Sequence, residues 1–456
     1  NEIHIPRKQY LDGSIPTGFQ QNRILGVGGY MLVDGTRIGI RQLGLEEDAC
    51  REVSDVAHRR TYLTDRLSIP LIEIVTEADM KTPAQAARVA NAIRRTCHLS
   101  QVCRFGYGRA RQDVNVSIRG GERVEIKGVP SIRQIPALVH YEALRQKALL
   151  EIRDRLLRDG IAGDSFDTVV DISDLVRNHP HPAFATRWGA GVSASAIILR
   201  RCAGILAYPT GPGRTFGSEV ADRIKVVACI DRMPNCLSSD NPEAFEYADL
   251  FAKVRELGGA DNNDCVVMVA GPRADVETAM KEVRLRMQEA LVGVPRETRR
   301  SLRNGGTGFE RLLPGPNRMY PDTDLPPIVL TDADFARERA LCPQPLWEKE
   351  DAWKAMGVST EQIGRLLTTD TFILFDAARP KVSLKPSVLA YLLLDFVPWL
   401  KRRGADVGRI DADFLAGIFA DATDMKQKDA AARLAAACDV TLHWTVKPAR
   451  NGGESK

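Results

Sequence analysis

In the segment "RQDVNVSIRGGERVEIKG", residues 111–128, groups able to hold a cation or an anion fall at alternate positions. Asp113, Asn115 and Ser117 alternate with Val114, Val116 and Ile118, and beyond Gly120-Gly121 the pair Glu125 and Lys127 alternates with Val124 and Ile126. Period two on both sides of a glycine pair predicts a β-hairpin with one buried face. A two-residue loop would set Val116 opposite Glu125 and mix apolar with charged residues on both faces. A three-residue loop, Gly120 to Glu122 with a left-handed glycine, pairs Ser117 with Glu125 and Asn115 with Lys127. One face is then apolar, and the other carries Asp113, Asn115, Glu125 and Lys127. That polar face is either a solvated sheet surface with a cross-strand ion pair or a site where carboxylates bind a cation beside a lysine.

Other acids stand where acids are costly. Glu73 interrupts "PLIEIV", which reads as a buried strand opened by Pro70 and apolar on both faces, so its carboxylate needs a partner or a metal. Glu46, Glu47 and Asp48 follow the strand-like "RIGIRQLGL", three acids whose repulsion a cation would relieve. If the strand ends bearing Glu47, Glu73, Asp113 and Glu125 converge, they make an all-oxygen site suited to Mg²⁺. Lys127 and Arg111 would then balance charge on a transferring phosphoryl group. The alternative is a set of exposed strand and turn acids. The chain has no GxxxxGK[ST] loop, "LGVGGYML" has no lysine and puts its glycines ahead of a strand, and "TGPGRTFGSE" is an isolated glycine-rich loop. An ATP site here is therefore a sheet-and-carboxylate site.

The elements that must position these groups can be read in order. "GYMLVDGTRIGI" predicts a hairpin with an Asp34-Gly35 turn, and "TPAQAARVANAIRR" a helix with Thr82 as N-cap, Pro83 at its first position and Gln85 closing a capping box. A long amphipathic helix opens at Pro136 and ends before Gly160. Residues 1–168 thus read as an α+β domain on an antiparallel sheet. Residues 169–292 alternate short strands with helices and read as a separate α+β insertion with its own core. Residues 293–330, rich in Gly, Pro and Arg, return to the first domain as a long functional loop. From 331 the chain is helical: a linker to 410 contains the capping box "STEQ" at 359–362 and a helix opened by Pro386, and residues 411–456 include the helical "KQKDAAARLAAA" and the polar tail "KPARNGGESK", which reads as disordered.

Composition sets the bounds. The 456 residues are 44% hydrophobic and 27% charged, as in a globular protein of two to four domains, and a net charge of +4 permits a polyanionic partner without requiring one. Nine cysteines with no CxxC pair signal neither a disulfide framework nor a zinc ribbon, which places the chain in a reducing cytoplasm. In "CHLSQVC" Cys97 lines up with Val89 and Ile93 on one helix face, the position of a packed thiol. The sequence reads as having no signal peptide, and its longest apolar run, "VLAYLLLDFVPWL", is about half a membrane span long and contains Asp395 and Pro398.

Four blocks, "LEEDACR", "DRLSIPLIEIVTEADMKTP", "RQDVNVSIRGGERVEIKGV" and "RMYPDTDLPPI", resemble in the same order the signatures of the B/E subunit family of glutamyl-tRNA(Gln) amidotransferases. The opening "EIHIPRKQYLDGS…GFQ" and the insertion between about 171 and 292, with "GPGRTFGSEVADR", are similar to the archaeal E branch. The insertion itself resembles a domain shared with bacterial-type aspartyl-tRNA synthetases. The likeness spans residues 1–445.

The resemblance implies a cradle domain similar to glutamine synthetase and guanido kinases, followed by the insertion and an all-helical C-terminal region. It implies ATP- and Mg²⁺-dependent phosphorylation of the glutamate carboxylate on mischarged tRNA(Gln), then amidation with ammonia from an asparaginase-like D-type partner in a heterotetramer. It carries metal-site roles onto Glu47, Glu73, Asp113 and Glu125, with Glu125 and Glu73 foremost in catalysis beside Asp113 and Lys127, and nucleotide contacts onto Arg111, Lys127 and Asn115. Arg318, Tyr320, Asp322 and Asp324 either close the site over the tRNA end or clasp two domains together. The family's upstream "GLE-x-H-x-Q/E-L" strand has no counterpart here, because "PRKQYLDGS" follows the "EIH" of residues 2–4, and only the start of a YqeY-like tail, about 411–445, is present. The resemblance thus implies a chain shortened at both ends. Two other functions stay open: a protein that positions tRNA without phosphorylating anything, and a small-molecule ATP-dependent amide ligase, which would have no use for the insertion. An aspartyl-tRNA synthetase is excluded, as no class II core surrounds the insertion.

Overall fold

The computed structural model describes residues 2–104, 110–179, 192–312 and 316–442, apart from the side chains of Glu243 and Pro316. The "KPARNGGESK" tail lies outside them. The chain divides into two compact units, one formed mostly by residues up to Asp332, the other by residues from Ala333 onward together with the second half of the first helix and the Leu32–Gly35 turn.

Two sheets organise the first unit. Five strands lie in the order β18-β2-β3-β4-β7: β18 is Met319–Pro321, β2 Pro6–Gln9, β3 Phe19–Val33, β4 Thr36–Glu47 and β7 Pro70–Thr76. The turn between β3 and β4 is the one the sequence predicts, with Asp34 at φ 50° and Gly35 at φ 73°, values that favour the Asp-Gly pair. Strand β7 differs from its reading as a buried strand. Among the described residues it pairs with β4 alone, and its first four residues are exposed, so Glu73 lies on a sheet edge with its carboxyl partly covered. Short pairs complete the periphery: β5 (Arg51–Val56) with β6 (Arg59–Leu63), and β1 (Glu2–Ile3) with β19 (Ile328–Val329).

The second sheet runs β17-β16-β9-β8, where β8 is Gln112–Val116, β9 Val124–Val129, β16 Glu297–Ser301 and β17 Thr307–Leu312. The hairpin of β8 and β9 forms, but in a register two residues from the expected one: Asn115 faces Glu125 and Val116 faces Val124. The reason is a side chain from helix α2 (Ile135–Arg158). Gln146 donates to the Val116 carbonyl at 3.0 Å and accepts from Ile118 N–H at 3.3 Å, taking backbone groups that a tighter hairpin would have paired. A shift of two preserves the faces, whereas a shift of one would have inverted them. This sheet is mixed rather than purely antiparallel, because β16 joins β9 in parallel, with Thr298 beside Glu125 and Arg300 beside Lys127.

Helix α1 (Pro83–Leu99) begins as its sequence predicts, with Gln85 N–H donating to Thr82 Oγ1 at 3.2 Å, although the Gln85 side chain reaches Lys81 N–H instead of Thr82. Its alanines 86, 87 and 90 pack on Val116, Ile126 and Leu138, closing the apolar face of the hairpin.

Residues 168–292 add a four-stranded antiparallel sheet, β10-β11-β15-β14 (Thr168–Asp171, Ser193–Leu199, Cys265–Gly271, Leu237–Ser238), beside the small pair β12 (Pro209–Gly211) and β13 (Arg214–Thr215). Helices cover both faces, which is why β15 is buried along almost its whole length. The core of this segment is not its own. On one face Ile197, Leu199, Val267 and Val269 pack in the same cluster as Leu149, Ile152 and Leu156 of α2, so an expected independent insertion shares its interior with the first domain. The second unit is helical from Asp332 to Ala437, around Trp353, Leu366, Phe375, Leu389 and Phe419. Its "STEQ" capping box forms in both directions, at 3.2 Å each. No helix among the described residues is long and apolar enough to cross a membrane.

Candidate active site

The polar face of the β17-β16-β9-β8 sheet gathers Asp113, Asn115, Glu125 and Lys127, four of the residues singled out in the sequence. Lys127 Nζ lies 3.0 Å from Asp113 Oδ2 and 3.2 Å from Glu125 Oε1. A bulge between Gln112 and Val114 aims Asp113 at this point, and its second oxygen accepts from Gly128 N–H at 2.9 Å, where Gly128 turns through φ 61°. Burial works against the Lys127 charge, but Asp113 and Glu125 outweigh it and raise the ammonium above its ordinary range, keeping it protonated. Asn115 and Arg111 are exposed, Asn115 on this same face.

A second bulge brings in a residue that the sequence reading passed over. Between Thr298 and Arg299 the pairing of β16 with β17 slips, leaving Glu310 as the extra residue beside Arg311. Burial raises the Glu310 carboxyl; Arg311 and Lys127 pull it down, while Asp113 and Glu125 add to the rise, so Glu310 shares their electrostatic neighbourhood. Its signal in the sequence, "GFER" in a glycine-rich stretch, has no alternation, because a bulge breaks the period that would have revealed it.

Glu73 joins from the other sheet, across from Gly44 on β4. Burial of its carboxyl and the nearby charge of Glu46 push it up, Lys8 pulls it down, and Asp113 on the neighbouring sheet contributes to the rise. Glu46 is the second residue missed. It accepts from Lys8 Nζ at 3.3 Å and from Asn22 Nδ2 at 2.6 Å. The three acids at 46–48 do not converge on one cation: Glu47 accepts from Gln21 N–H at 3.1 Å, and Asp48 bonds Ala49 N–H at 2.9 Å. Neighbours on a strand point to opposite faces, so Glu46 can join Glu73 only if Glu47 turns away.

The late block returns to the first sheet as β18. Asp322, its side chain inaccessible to solvent, takes Arg7 Nε at 2.8 Å and the N–H groups of Asp324 and Leu325, and Asp324 also contacts Arg7. Both sides of this contact lie in the first unit, where it ties β18 to β2 within one sheet and does not clasp two domains. Arg318 sits 5.8 Å from the Tyr10 ring centroid, and Tyr320 pairs with Arg7 along the strand.

The donor set around Lys127 and Glu73 is all oxygen, the chemistry Mg²⁺ takes, and the carboxyls of Glu73 and Glu310 are raised first by burial and then by neighbouring acids. Among the described residues no three His, Cys, Asp or Glu side chains converge closely enough to hold a metal unaided. Burial and the Cys103 thiol beside it push the Cys97 thiol up to about 11.

Comparison with known proteins gives the family. Residues 1–336 match the family model described as the GatB/GatE catalytic domain. The chain belongs to the GatB/GatE family. It is 35% identical over 419 residues to the E subunit of the glutamyl-tRNA(Gln) amidotransferase of Archaeoglobus fulgidus, and 37% identical over 425 residues to that of Methanopyrus kandleri. These alignments cover 90% and 91% of this chain but 64% and 65% of those relatives, so the chain spans a little under two thirds of their length. The corresponding protein of Methanococcus maripaludis aligns over 99% of this chain at 30% identity, and 70% of its own length is covered. The family match takes in both sheets and every residue of the polar face described above.

Proposed function

We propose that this chain carries the kinase and amide-forming site of a tRNA-dependent amidotransferase, using ATP to activate the side-chain carboxylate of glutamate mischarged on tRNA(Gln). The observation that carries the reading is the ammonium of Lys127, held by Asp113 and Glu125 on an open sheet face where Glu310 and Glu73 add further carboxylates. The relatives, named as E subunits of glutamyl-tRNA(Gln) amidotransferases, support the substrate.

In this reading the glutamate carboxylate oxygen attacks the γ-phosphorus and the bond to ADP breaks. Ammonia, supplied by an asparaginase-like partner in a heterotetramer, then attacks the acyl carbon and expels inorganic phosphate. Lys127 stabilises charge on the transferring phosphoryl oxygens, and the exposed Arg111 and Asn115 would contact the nucleotide. Asp113 and Glu125 keep that lysine charged and fixed in place. One or two of Glu125, Asp113 and Glu73 would hold Mg²⁺, which when bound neutralises phosphate charge; nucleotide oxygens and water would complete such a set. The residues at 318–324 position the edge of the first sheet through Asp322 and Arg7, leaving Arg318 and Tyr320 to meet the acceptor end. The first sheet pair reads as the cradle, and residues 169–292 as the domain shared with aspartyl-tRNA synthetases.

A second reading, a protein that positions tRNA without turning over nucleotide, draws on the lack of three converging carboxylates among the described residues. One experiment separates the two: the chain is given Glu-tRNA(Gln), ATP, Mg²⁺ and free ammonium, and Gln-tRNA(Gln) is measured against a Glu125→Gln control. ATP-dependent product lost in the control supports the kinase. Retained tRNA binding with no product supports the positioning role.

A further inference from the structure

Two registers of the hairpin formed by β8 and β9 put the same side chains on the same faces. The loop expected from the sequence, Gly120 to Glu122, would pair Val116 with Ile126 and Asn115 with Lys127. The structure pairs Val116 with Val124 and Asn115 with Glu125, and residues 117–123 form a longer loop. The apolar face stays buried either way, so the alternation of residue types does not choose between them.

Of the two strands, β8 is the one able to slide. It lies at the end of its sheet, whereas β9 is held on its other side by β16, with Thr298 beside Glu125 and Arg300 beside Lys127. A slip of two residues carries Asp113 about 7 Å along the strand. Its contact with Lys127 at 3.0 Å and its bond from Gly128 N–H would both be lost, while Glu125 would stay with Lys127 on β9.

One side chain of α2 opposes the slip. Gln146 is wholly buried and its amide is used from both ends. Nε2 donates to the Val116 carbonyl at 3.0 Å and to Glu142 Oε1 at 3.4 Å, and Oε1 accepts from Ile118 N–H at 3.3 Å. Glu142 is itself held by Arg145 at 2.8 Å. Gly121 completes the fit, because a Cβ there would stand 2.5 Å from Gln146 Oε1 and 3.1 Å from Ile118 Cγ1. A further tie to the loop, Arg296 Nε to Glu122 at 2.8 Å, is exposed, and such a pair contributes little.

We propose that Gln146, fitted against Gly121, is a positioning residue for phosphoryl transfer: it selects the register in which Asp113 and Glu125 together hold Lys127, an inference that rests on the kinase reading of this face. Neither Gln146 nor Gly121 meets the reacting groups. They act through the hairpin, whose slipped form leaves Lys127 facing Asn115 with one carboxylate instead of two.

The test reads the register and the reaction separately. With isotope-labelled Ile and Val methyl groups in the full chain, nuclear Overhauser contacts should join Val116 to Val124 in the wild type. In Gln146→Leu and in Gly121→Ala they should join Val116 to Ile126 and Ile118 to Val124. Arg296→Gln, which removes only the exposed pair, should keep the wild-type pattern. With Glu-tRNA(Gln), ATP, Mg²⁺ and ammonium, kcat for Gln-tRNA(Gln) should fall about a hundredfold in the two slipped variants, the loss that follows when a group is misplaced from its productive geometry, while KM for the tRNA is unchanged. If the variants keep the contact of Val116 with Val124, or slip and keep full kcat, the inference is overturned while the kinase reading stands. If the wild type forms no product with ATP, the kinase reading falls and the positioning role falls with it.

Discussion

Replacing Arg145 tests what stands behind the candidate site. Its guanidinium donates to Glu142 at 2.8 Å, to Glu219 at 3.1 Å and to Glu297, and none of the four side chains is more than 3% exposed. Burial works against the Arg145 charge, but the three carboxylates outweigh it and hold it well above its ordinary value. The same cluster takes in Arg286, 3.0 Å from Glu219, and Arg299. Glu297 and Arg299 lie on β16, the strand whose other face carries Thr298 next to Glu125. Arg145→Met keeps the volume and removes the charge, leaving three buried carboxylates short of one cation. Breaking such a buried set costs about 3–5 kcal/mol, a large share of the roughly 5–15 kcal/mol that holds a domain folded. Urea unfolding at pH 7, followed by circular dichroism, reads the loss. The pH dependence adds a second check. Arg145 and its neighbours outweigh burial and hold Glu219 and Glu297 below their unfolded value of 4.5, so their contribution is present above that pH and is lost as pH falls through the lower folded values. The wild type should therefore lose stability below about pH 4.5 more steeply than Arg145→Met. A variant that unfolds within about 1 kcal/mol of wild type, with the same acid slope, would refute the idea that this cluster anchors β16.

Glu46→Gln should lower ATP-dependent Gln-tRNA(Gln) formation about a hundredfold and Glu47→Gln far less, as expected when one preorganised charged group is lost from a site; equal losses, or the reverse order, would return the site to Glu47. Glu73→Gln should abolish that activity and yet melt higher than wild type at pH 7.5. The folded carboxyl is raised above 4.5 by burial and by Glu46, so its ionisation penalises the fold as pH rises past 4.5, and the amide carries no such penalty; calorimetry at pH 4 and 7.5 should show the difference only at the higher pH. Gly258→Ala would put a Cβ 2.8 Å from Ile198 Cγ1, inside a core with no slack, and should cost about 1–3 kcal/mol in urea unfolding with little change in tRNA affinity. A neutral Gly258→Ala would mean that the β11 core gives way more easily than its close packing suggests.

The sequence was most legible where a period or a cap dictates structure. Alternation in β8 and β9 put Asp113, Asn115, Glu125 and Lys127 on one face, and the turn at Asp34-Gly35, the start of α1 and the "STEQ" box follow from local chemistry alone. What stayed hidden came from tertiary partners. The hairpin register depends on Gln146, 30 residues beyond Val116 and on another element. The exposure of β7 depends on which strands flank it, which the apolar run "PLIEIV" cannot say. The shared core under residues 169–292 depends on α2, whose inward-facing Glu142 and Arg145 look from the sequence like ordinary surface charges on an amphipathic helix.

The two acids the sequence reading missed have different causes, and the difference bears on how the site is built. Glu46 was visible as a type but not as a direction, because in "LEED" any of the three acids could face Glu73 until the strand fixes which one does. Glu310 was invisible because its strand is irregular at that point. Asp113 also sits at a bulge, so two of the carboxylates near Lys127 are placed by departures from regular pairing. A regular strand presents every second residue to one face, about 7 Å apart, which is too sparse for a cluster. A bulge puts adjacent residues on the same side. The buried ion network then supplies the rigidity that an interrupted ladder lacks: Glu297 and Arg299 fasten β16 from behind while the ladder to β17 slips between Thr298 and Arg299. Density of charge on one face and an immobile scaffold on the other are the conditions under which Lys127 can be preorganised toward a phosphoryl group, and both trace to residues that alternation alone would not have picked out.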